Sequence, residues 1–278
     1  MTKCLSFALF VFIALESVAG TADTISIYSN SMHRSYNCVV IKPDSYSHKK
    51  TYYETVYLLH GYDGYYSNWI LRVPQIKKYV DDYQLLIVCP EGKSNSWYFD
   101  SPIADSMQFE TYIAKEVPEY IDTHFKTIKR SNARAITGLS MGGHGALFLA
   151  FRHPDIFGAC GSMSGAFDIN LFATGKRYHI PELLGDSNFS NRYYDYSVMK
   201  AMEVITKDFP RIIIDCGNED GFIEMNRAIH KKMIELKIPH DYIERPGKHE
   251  WKYWSNSLPY HLFYFRMFFD KQKNRVSK

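Results

Sequence analysis

The chain has 278 residues, of which 46% are hydrophobic and 23% are charged, and its formal net charge is only +3. This length and hydrophobic content suffice for a large buried core and exclude an intrinsically disordered chain. The lysines and arginines are scattered, and the short basic run from Lys126 to Arg130 is better interpreted as a solvated surface than as a nucleic-acid site. We therefore expect no nucleic-acid partner, and a single domain, because no linker-like segment divides the chain.

Residues 1–22 have the pattern of a secretory signal peptide. Lys3 precedes the apolar run CLSFALFVFIAL, and the small residues of SVAG follow it. The run is shorter than the roughly 20 residues that a membrane-spanning helix needs. An N-terminal core helix is the alternative, but no capping residue opens it. We predict cleavage near Gly20 or Ala22, a secreted or periplasmic location, and no stable membrane insertion after signal removal.

Strand-like and helix-like segments alternate along residues 23–278. Alternating or nearly continuous apolar runs predict strands within residues 24–41, 55–62, 84–92, 133–137, 159–165, 211–217 and 240–247. Apolar residues at helical spacing predict helices within residues 68–83, 105–125, 141–152, 221–238 and 259–272. The helix within residues 105–125 is expected to begin at Asp105 or Ser106 and to bend or break at Pro118.

This alternation predicts an α/β fold with a mostly parallel central sheet and helices on both faces. Residues 167–204 have a weaker period and many aromatic side chains, and we interpret them as an excursion over the active face. Sheets of this kind carry their sites outside the carboxyl ends of the strands. The residues that follow each apolar run are therefore the candidates for function.

Four cysteines remain after the predicted signal peptide, and each lies within or at the end of a strand-like run: Cys38, Cys89, Cys160 and Cys216. A secreted protein could pair them, but central strands also hold small buried thiols. We favour free structural cysteines over disulfides.

Residues 138–142, Gly-Leu-Ser-Met-Gly, fit the nucleophile-elbow pattern G-x-S-x-G. A predicted strand precedes the pattern and a glycine-rich helix start follows it. A strand that turns sharply into a helix brings the flanking positions so close to neighbouring backbone that a Cβ would clash, which explains the glycines. The turn exposes the Ser140 hydroxyl, so Ser140 is the candidate nucleophile. A glycine-rich packing turn is the alternative.

A serine nucleophile needs a general base and a carboxylate that orients the base, and in this fold they follow in the order serine, acid, histidine. His249 lies in a loop between the last predicted strand and the last predicted helix, so we predict it to be the base; a solvent-exposed loop histidine is the alternative. For the acid, Asp215 still lies in a strand. Asp220 follows the strand end and is preferred, with Glu219 as its main competitor.

Acyl transfer also needs donors for the oxyanion. We expect one donor to be the backbone N–H of Met141, the residue after the nucleophile. The second is expected from the loop after an early central strand, where Tyr62 follows His60-Gly61, although a generic turn explains this loop equally well.

Four segments together resemble one family. YLLHGYDGYYSNW, GLSMGGHGAL, DCGNEDGF and GKHEW are similar to the esterase D branch of the α/β-hydrolases. That branch includes S-formylglutathione hydrolases, bacterial feruloyl and acetyl-xylan esterases, and mycolyltransferases. The resemblance runs from about Thr51 to the C-terminus. It implies an α/β-hydrolase fold, Ser140 as nucleophile, Asp220 rather than Glu219 as acid, His249 as base, and the amides of Tyr62 and Met141 as oxyanion hole.

The resemblance implies a serine esterase that needs no metal or cofactor and acts on a small-molecule or glycan ester. Because the sequence predicts an export signal, a feruloyl or acetyl esterase of plant polysaccharides fits better than a cytosolic S-formylglutathione hydrolase. Trp97, in a segment similar to the one beside the family's acyl pocket, and Trp251 are candidates for substrate contacts, with core packing the alternative for Trp97. An acyltransferase of the mycolyltransferase type and a non-catalytic glycan-binding homologue remain as alternatives, and the oligomeric state is left open.

Overall fold

The computed structural model describes residues 20–48, 51–174, 176–185, 192–205 and 209–276. Within these ranges the strands form one eight-stranded sheet, and the last six strands run parallel to one another. The strands, in chain order, are β1 (Thr21–Ser29), β2 (Arg34–Lys42), β3 (Thr55–Leu59), β4 (Leu86–Pro90), β5 (Arg134–Gly138), β6 (Ala159–Met163), β7 (Arg211–Gly217) and β8 (Asp241–Arg245).

The order across the sheet is β1-β2-β4-β3-β5-β6-β7-β8. β1 and β2 pair antiparallel at one edge, and β2 pairs antiparallel with β4. This arrangement is that of the α/β-hydrolase fold, so the predicted fold class is confirmed. The strands predicted within residues 24–41 correspond to β1 and β2, of which only β1 lies at the edge of the sheet.

Helices cover both faces of the sheet. They are α1 (Ser45–His48), α2 (Asn68–Arg72), α3 (Ile76–Tyr83), α4 (Phe109–Thr111), α5 (Val117–His124), α6 (Met141–Arg152), α7 (Ile169–Ala173), α8 (Ile180–Leu184), α9 (Arg192–Asp195), α10 (Val198–Val204), α11 (Ile223–Glu235) and α12 (Trp251–Val276). A π-helical turn covers Tyr112–Glu116, and 3₁₀ turns cover Ser131–Ala133 and Lys176–Tyr178.

Alternate side chains of the buried strands enter two separate cores, as the period of a strand requires. On β3, Tyr57 and Leu59 pack with α5, α6, α10 and α11 on one face. Val56 and Leu58 pack with α2, α3 and α12 on the other face. Within the described ranges, no helix has both the length and the apolar character needed to cross a membrane.

Two helix boundaries differ from the sequence-based expectation. α4 begins at Phe109 rather than at Asp105 or Ser106, because the Phe109 N–H donates to Phe99 O at 2.9 Å and the preceding residues form turns. The helical segment does not break at Pro118 but continues from α4 through the π-helical turn into α5, because Pro118 lies in the first turn of α5, where a proline is tolerated.

The last helix also begins earlier than expected. α12 starts at Trp251, and Pro259 lies inside it rather than at its start. The N–H groups of Tyr253 and Trp254 donate to Glu250 O at 3.0 and 3.2 Å, which anchors the first turn.

Two further expectations concern the N-terminus and the cysteines. Residues 1–19 of the predicted signal peptide lie outside the described residues, and β1 begins at Thr21. Cleavage at Gly20 would leave β1 whole, whereas cleavage at Ala22 would remove its first residues. The prediction of free cysteines is confirmed, because all four described cysteines are buried and unpaired with one another.

Candidate active site

Ser140 lies on a sharp turn between β5 and α6. Its backbone has φ 54° and ψ −117°, a region that costs a non-glycine residue on the order of 1–3 kcal/mol. The Ser140 N–H donates to Met163 O at 2.9 Å, which holds the turn against β6. A Cβ on Gly138 would lie 2.6 Å from the backbone of Gly142, and one on Gly142 would collide with the carbonyl oxygen of His60. Both glycines of the motif are therefore required by close backbone approach.

The His249 imidazole bridges Ser140 and Asp220. Its Nε2 lies 3.0 Å from Ser140 Oγ, and its Nδ1 lies 2.9 and 3.0 Å from the two carboxylate oxygens of Asp220. In the tautomer that satisfies both contacts, Nδ1–H donates to the carboxylate and the serine hydroxyl donates to Nε2. The three residues predicted from sequence are thus brought into one hydrogen-bonded chain.

Burial and hydrogen bonding have opposite effects on the pKa of Asp220, whose carboxylate is fully buried. Burial alone would raise its pKa. The hydrogen bond and charge of His249, together with the Phe222 N–H at 2.8 Å, outweigh burial and hold the pKa of Asp220 below its ordinary value. Asp220 therefore stays ionised around neutral pH and can orient the imidazole.

The two competing acids do not contact His249. Asp215 is buried on β7 and is bound by the guanidinium of Arg245; burial, opposed by that cation, raises the pKa of Asp215 to about 6. The Glu219 carboxylate is more than half exposed and lies 4.0 Å from Lys248 Nζ. Of the three candidate acids, Asp220 alone has the geometry to orient the imidazole.

Two aromatic rings enclose His249. Phe222 packs against the imidazole with 4.4 Å between ring centroids, and Trp254 packs nearly perpendicular to it at 4.9 Å. Sequence reasoning missed both. Phe222 could have been suspected because it lies two residues after the acid. Trp254 could have been suspected only with the correct start of α12, which places it beside the base.

The loops that carry the acid and the base are joined to each other. The Asn218 N–H donates to Arg245 O at 2.9 Å, and the Glu219 N–H donates to Gly247 O at 3.0 Å. The Arg245 guanidinium donates to the buried Asp215 and, at 2.6 Å, to Ser257 Oγ on α12. The spacing between acid and base is therefore set by two strands and a helix rather than by mobile side chains.

The loop after β3 lies tightly against the elbow. A Cβ on Gly61 would sit 2.5 Å from the Leu139 side chain. The ring of His60 is fixed by the Gly92 N–H, which donates to Nε2 at 2.9 Å, and Tyr98 OH donates to His60 O at 2.8 Å. Rigid placement of this loop is what a preorganised oxyanion site needs.

The residues predicted to supply the oxyanion-hole amides, Tyr62 and Met141, border the same depression as Ser140. Among the hydrogen bonds of the described residues, none is donated by the backbone N–H of Tyr62 or Met141.

The depression around Ser140 has a cavity volume of about 590 Å³, within the usual range for small-ligand sites. Both predicted substrate contacts border it. Trp97 is buried and donates from Nε1–H to Tyr178 O at 3.2 Å, so it both packs and lines the site. Trp251 is partly exposed and packs edge-on against Trp69 at 5.2 Å.

The excursion between β6 and β7 supplies a further wall that sequence reasoning could not assign to residues. Phe172, Arg177 and Tyr178 line the depression. Tyr62 OH donates to Arg177 O, and the rings of Tyr62 and Tyr178 meet edge-on at 5.2 Å. The excursion is thus fastened to the predicted oxyanion loop.

Two other histidines that follow Ser140 in the chain are buried in packing contacts. His144 is buried among Trp97, Phe99 and Phe148, and burial lowers its pKa to about 3. His261 is buried against Thr137 Oγ1 at 2.8 Å. In the described part of the chain, histidine, cysteine and acidic side chains form no group of three or more that could hold a metal ion.

Known proteins are similar to this chain over most of its length. The model of the Esterase family matches residues 29–265. An acetyl esterase of Caldicellulosiruptor saccharolyticus is 27% identical over 84% of this chain and 94% of its own length. The diacylglycerol acyltransferase/mycolyltransferase Ag85B of Mycobacterium leprae is 35% identical over 73% of this chain and 72% of its own. The solved structure of a ferulic acid esterase is 25% identical and has a TM-score of 0.76, covering 90% of this chain and 99% of its own.

Proposed function

Because the chain belongs to the Esterase family and is a serine carboxylic-ester hydrolase, we propose that Ser140, His249 and Asp220 form its catalytic triad. The observation that carries the proposal is the chain of contacts from Ser140 Oγ to His249 Nε2 at 3.0 Å and from His249 Nδ1 to Asp220 at 2.9 Å. These distances lie within hydrogen-bond reach, which general-base activation of a serine requires.

The proposed reaction has two half-reactions. His249 takes the proton of Ser140 as Oγ attacks the ester carbonyl, and the amides of Tyr62 and Met141 stabilise the oxyanion. The imidazolium then protonates the leaving alcohol oxygen, and an acyl-enzyme forms. In the second half-reaction His249 deprotonates a water molecule, which attacks the acyl carbonyl. The bond between the acyl carbon and Ser140 Oγ then breaks, the imidazolium returns its proton to Oγ, and the acid is released. Ionised Asp220 stabilises the imidazolium in both halves.

We propose esters of plant polysaccharides, with feruloyl or acetyl groups, as the substrates. The N-terminal pattern of a signal peptide supports an exported enzyme, for which a wall polymer is an accessible substrate. Similarity to an acetyl esterase and to a ferulic acid esterase supports the two acyl groups. The aromatic rings of Trp97, Phe172 and Tyr178 around the depression suit a flat hydroxycinnamoyl group.

Comparing Ser140→Ala with wild type on p-nitrophenyl acetate, methyl ferulate and acetylated xylan tests the triad and the substrate class. We expect kcat for Ser140→Ala to fall by several orders of magnitude, with unchanged circular dichroism. Ser26→Ala is the matched control, because Ser26 is exposed on β1 far from the site. Equal rates for wild type and Ser140→Ala would exclude the triad. Activity confined to p-nitrophenyl acetate would exclude the substrate class but not the mechanism.

Export is tested separately. Expression of the full chain should place the protein outside the cytoplasm, with a mature N-terminus near residue 20 by mass spectrometry. A cytoplasmic protein that retains residues 1–19 would contradict it.

Acyl transfer is the second candidate, favoured by the 35% identity to an acyltransferase. An alcohol would then replace water in the second half-reaction. Product analysis with glycerol or a sugar as acceptor separates the two, because a transferase forms a new ester whereas a hydrolase releases the free acid.

A further inference from the structure

A second depression adjoins the one that contains Ser140. It has a volume of about 730 Å³ and is formed by the loop after β8 and the N-terminal half of α12. We call it the outer depression. Its lining includes Tyr79, Lys248, Glu250, Tyr253, Asn256 and Tyr260. Glu250 lines both depressions, so the two adjoin at the residue that follows the predicted base.

The chemistry of the proposed reaction determines which half of an ester substrate lies toward the outer depression. The leaving alcohol oxygen must take a proton from His249 Nε2, so the alcohol half of the ester lies on the His249 side of Ser140. Glu250 and Trp251 come directly after His249 in the chain and also line the Ser140 depression. A chain attached to the alcohol therefore leaves the site past these two residues, toward the outer depression.

The outer depression contains a preformed aromatic surface. Tyr260 is 52% exposed, and the guanidinium of Arg245 lies 4.2 Å from its ring centroid. Arg245 is itself held by the buried Asp215 and by Ser257 Oγ at 2.6 Å. An anchored cation, which also lines the outer depression, thus covers one face of the Tyr260 ring and restricts its movement, so little side-chain entropy is lost when a ligand stacks on the other face.

We propose that the outer depression is a subsite for sugar units of the polysaccharide beyond the one that carries the ester; this rests on the proposed function. A sugar ring presents C–H groups on its face and hydroxyl groups at its rim. The exposed ring of Tyr260 suits the face. The carboxylate of Glu250, the amide of Asn256 and the ammonium of Lys248 offer acceptors and donors for the hydroxyl groups.

Kinetics on substrates of different length test the subsite. For wild type, kcat/KM should be higher on feruloylated or acetylated xylo-oligosaccharides than on esters of a single sugar. The ratio of kcat/KM on the oligosaccharide ester to kcat/KM on methyl ferulate should fall roughly three- to tenfold in Tyr260→Ala, the scale of one aromatic stacking contact. Phe263→Ala is the matched control, because Phe263 is 53% exposed on the same helix and lines neither depression.

A binding measurement separates this subsite from the catalytic proposal. Xylohexaose, which carries no ester, should bind the Ser140→Ala variant in calorimetry, and addition of Tyr260→Ala should weaken binding by a similar factor. Addition of Phe263→Ala should not weaken it. Absence of xylohexaose binding, equal binding with and without Tyr260, or a wild-type rate independent of chain length would overturn the subsite. Failure of the proposed function would instead show as no turnover of methyl ferulate or p-nitrophenyl acetate by wild type.

Discussion

Replacement of Asp220 by asparagine tests the electrostatic half of the proposed triad. The carboxylate accepts from His249 Nδ1 and from the Phe222 N–H at 2.8 Å, and it is fully buried. An asparagine of the same shape keeps the packing but presents an NH₂ group, which cannot accept from Nδ1–H. If the amide nitrogen faces the ring, Nδ1 must be the unprotonated nitrogen and the imidazole proton lies on Nε2. A protonated Nε2 can no longer accept the proton of Ser140.

The expected loss follows from these contacts. The wrong tautomer and the missing negative charge beside the imidazolium both raise the barrier, and a comparable change in a serine protease lowers kcat about 10⁴-fold. That factor corresponds to about 5 kcal/mol of transition-state stabilisation at 1.36 kcal/mol for each tenfold change. We expect kcat on p-nitrophenyl acetate to fall about 10³- to 10⁴-fold in Asp220→Asn, with KM changed much less.

Glu219→Gln is the matched control, because Glu219 is the neighbouring acid and its carboxylate is exposed near Lys248. Its kcat should remain within about twofold of wild type, as expected for an exposed ion pair. Since the pKa of Asp220 is held below its ordinary value, the acid limb of the wild-type kcat/KM–pH profile should not come from this carboxylate. A larger loss in Glu219→Gln than in Asp220→Asn would refute the assignment of the acid.

Two further predictions concern the surroundings of the site. Arg245→Met should lower kcat about tenfold or more and reduce the free energy of unfolding, measured by urea titration, by about 3–5 kcal/mol. The reason is that the substitution leaves the buried Asp215 unpaired and loosens the loop that carries His249. Arg266→Met is the control: the Arg266 guanidinium pairs with Glu54 away from the site, so its loss should change stability but not kcat. Burial lowers the pKa of His144 to about 3, below its unfolded value of about 6.5. The stability that the neutral imidazole contributes is therefore present above pH 6.5 and should fall by up to about 1.4 kcal/mol for each pH unit below that. Between pH 7 and 5 the free energy of unfolding should change less steeply with pH in His144→Phe than in wild type, and an equal slope would contradict a buried neutral imidazole.

The elbow could be predicted closely from sequence because its constraints are local. The predicted strand within residues 133–137 and helix within residues 141–152 correspond to β5 and α6. A sharp strand-to-helix turn requires small residues two positions before and two positions after Ser140. The motif of five consecutive residues, Gly138 to Gly142, contains both of them. The position of His249 could also be predicted, since a parallel sheet places the loop after each strand at the same edge.

The walls of the site could not be predicted because they depend on contacts between distant segments. Tyr62 and Arg177 are joined by a hydrogen bond across 115 positions of sequence, and Trp97 and Tyr178 by another across 81. No period within residues 167–204 indicates which of their aromatic side chains face Ser140. Composition indicated an aromatic excursion, but the choice of Phe172 and Tyr178 as lining residues is made by tertiary packing.

The start of α12 determines the surroundings of the His249 imidazole, and the later start predicted from sequence did not indicate them. The apolar spacing predicts this helix within residues 259–272, whereas α12 begins at Trp251 and contains Pro259 in its interior. The earlier start places Trp254 one turn inside the helix, against the face of the site where His249 lies. Phe222 and Trp254 then restrict rotation of the ring, so that Nε2 stays directed at Ser140 and Nδ1 at Asp220 without the imidazole having to be ordered when substrate binds. An apolar enclosure on two sides and hydrogen bonds at both nitrogens together hold the base in one orientation, which neither could do alone for a side chain that is 30% exposed.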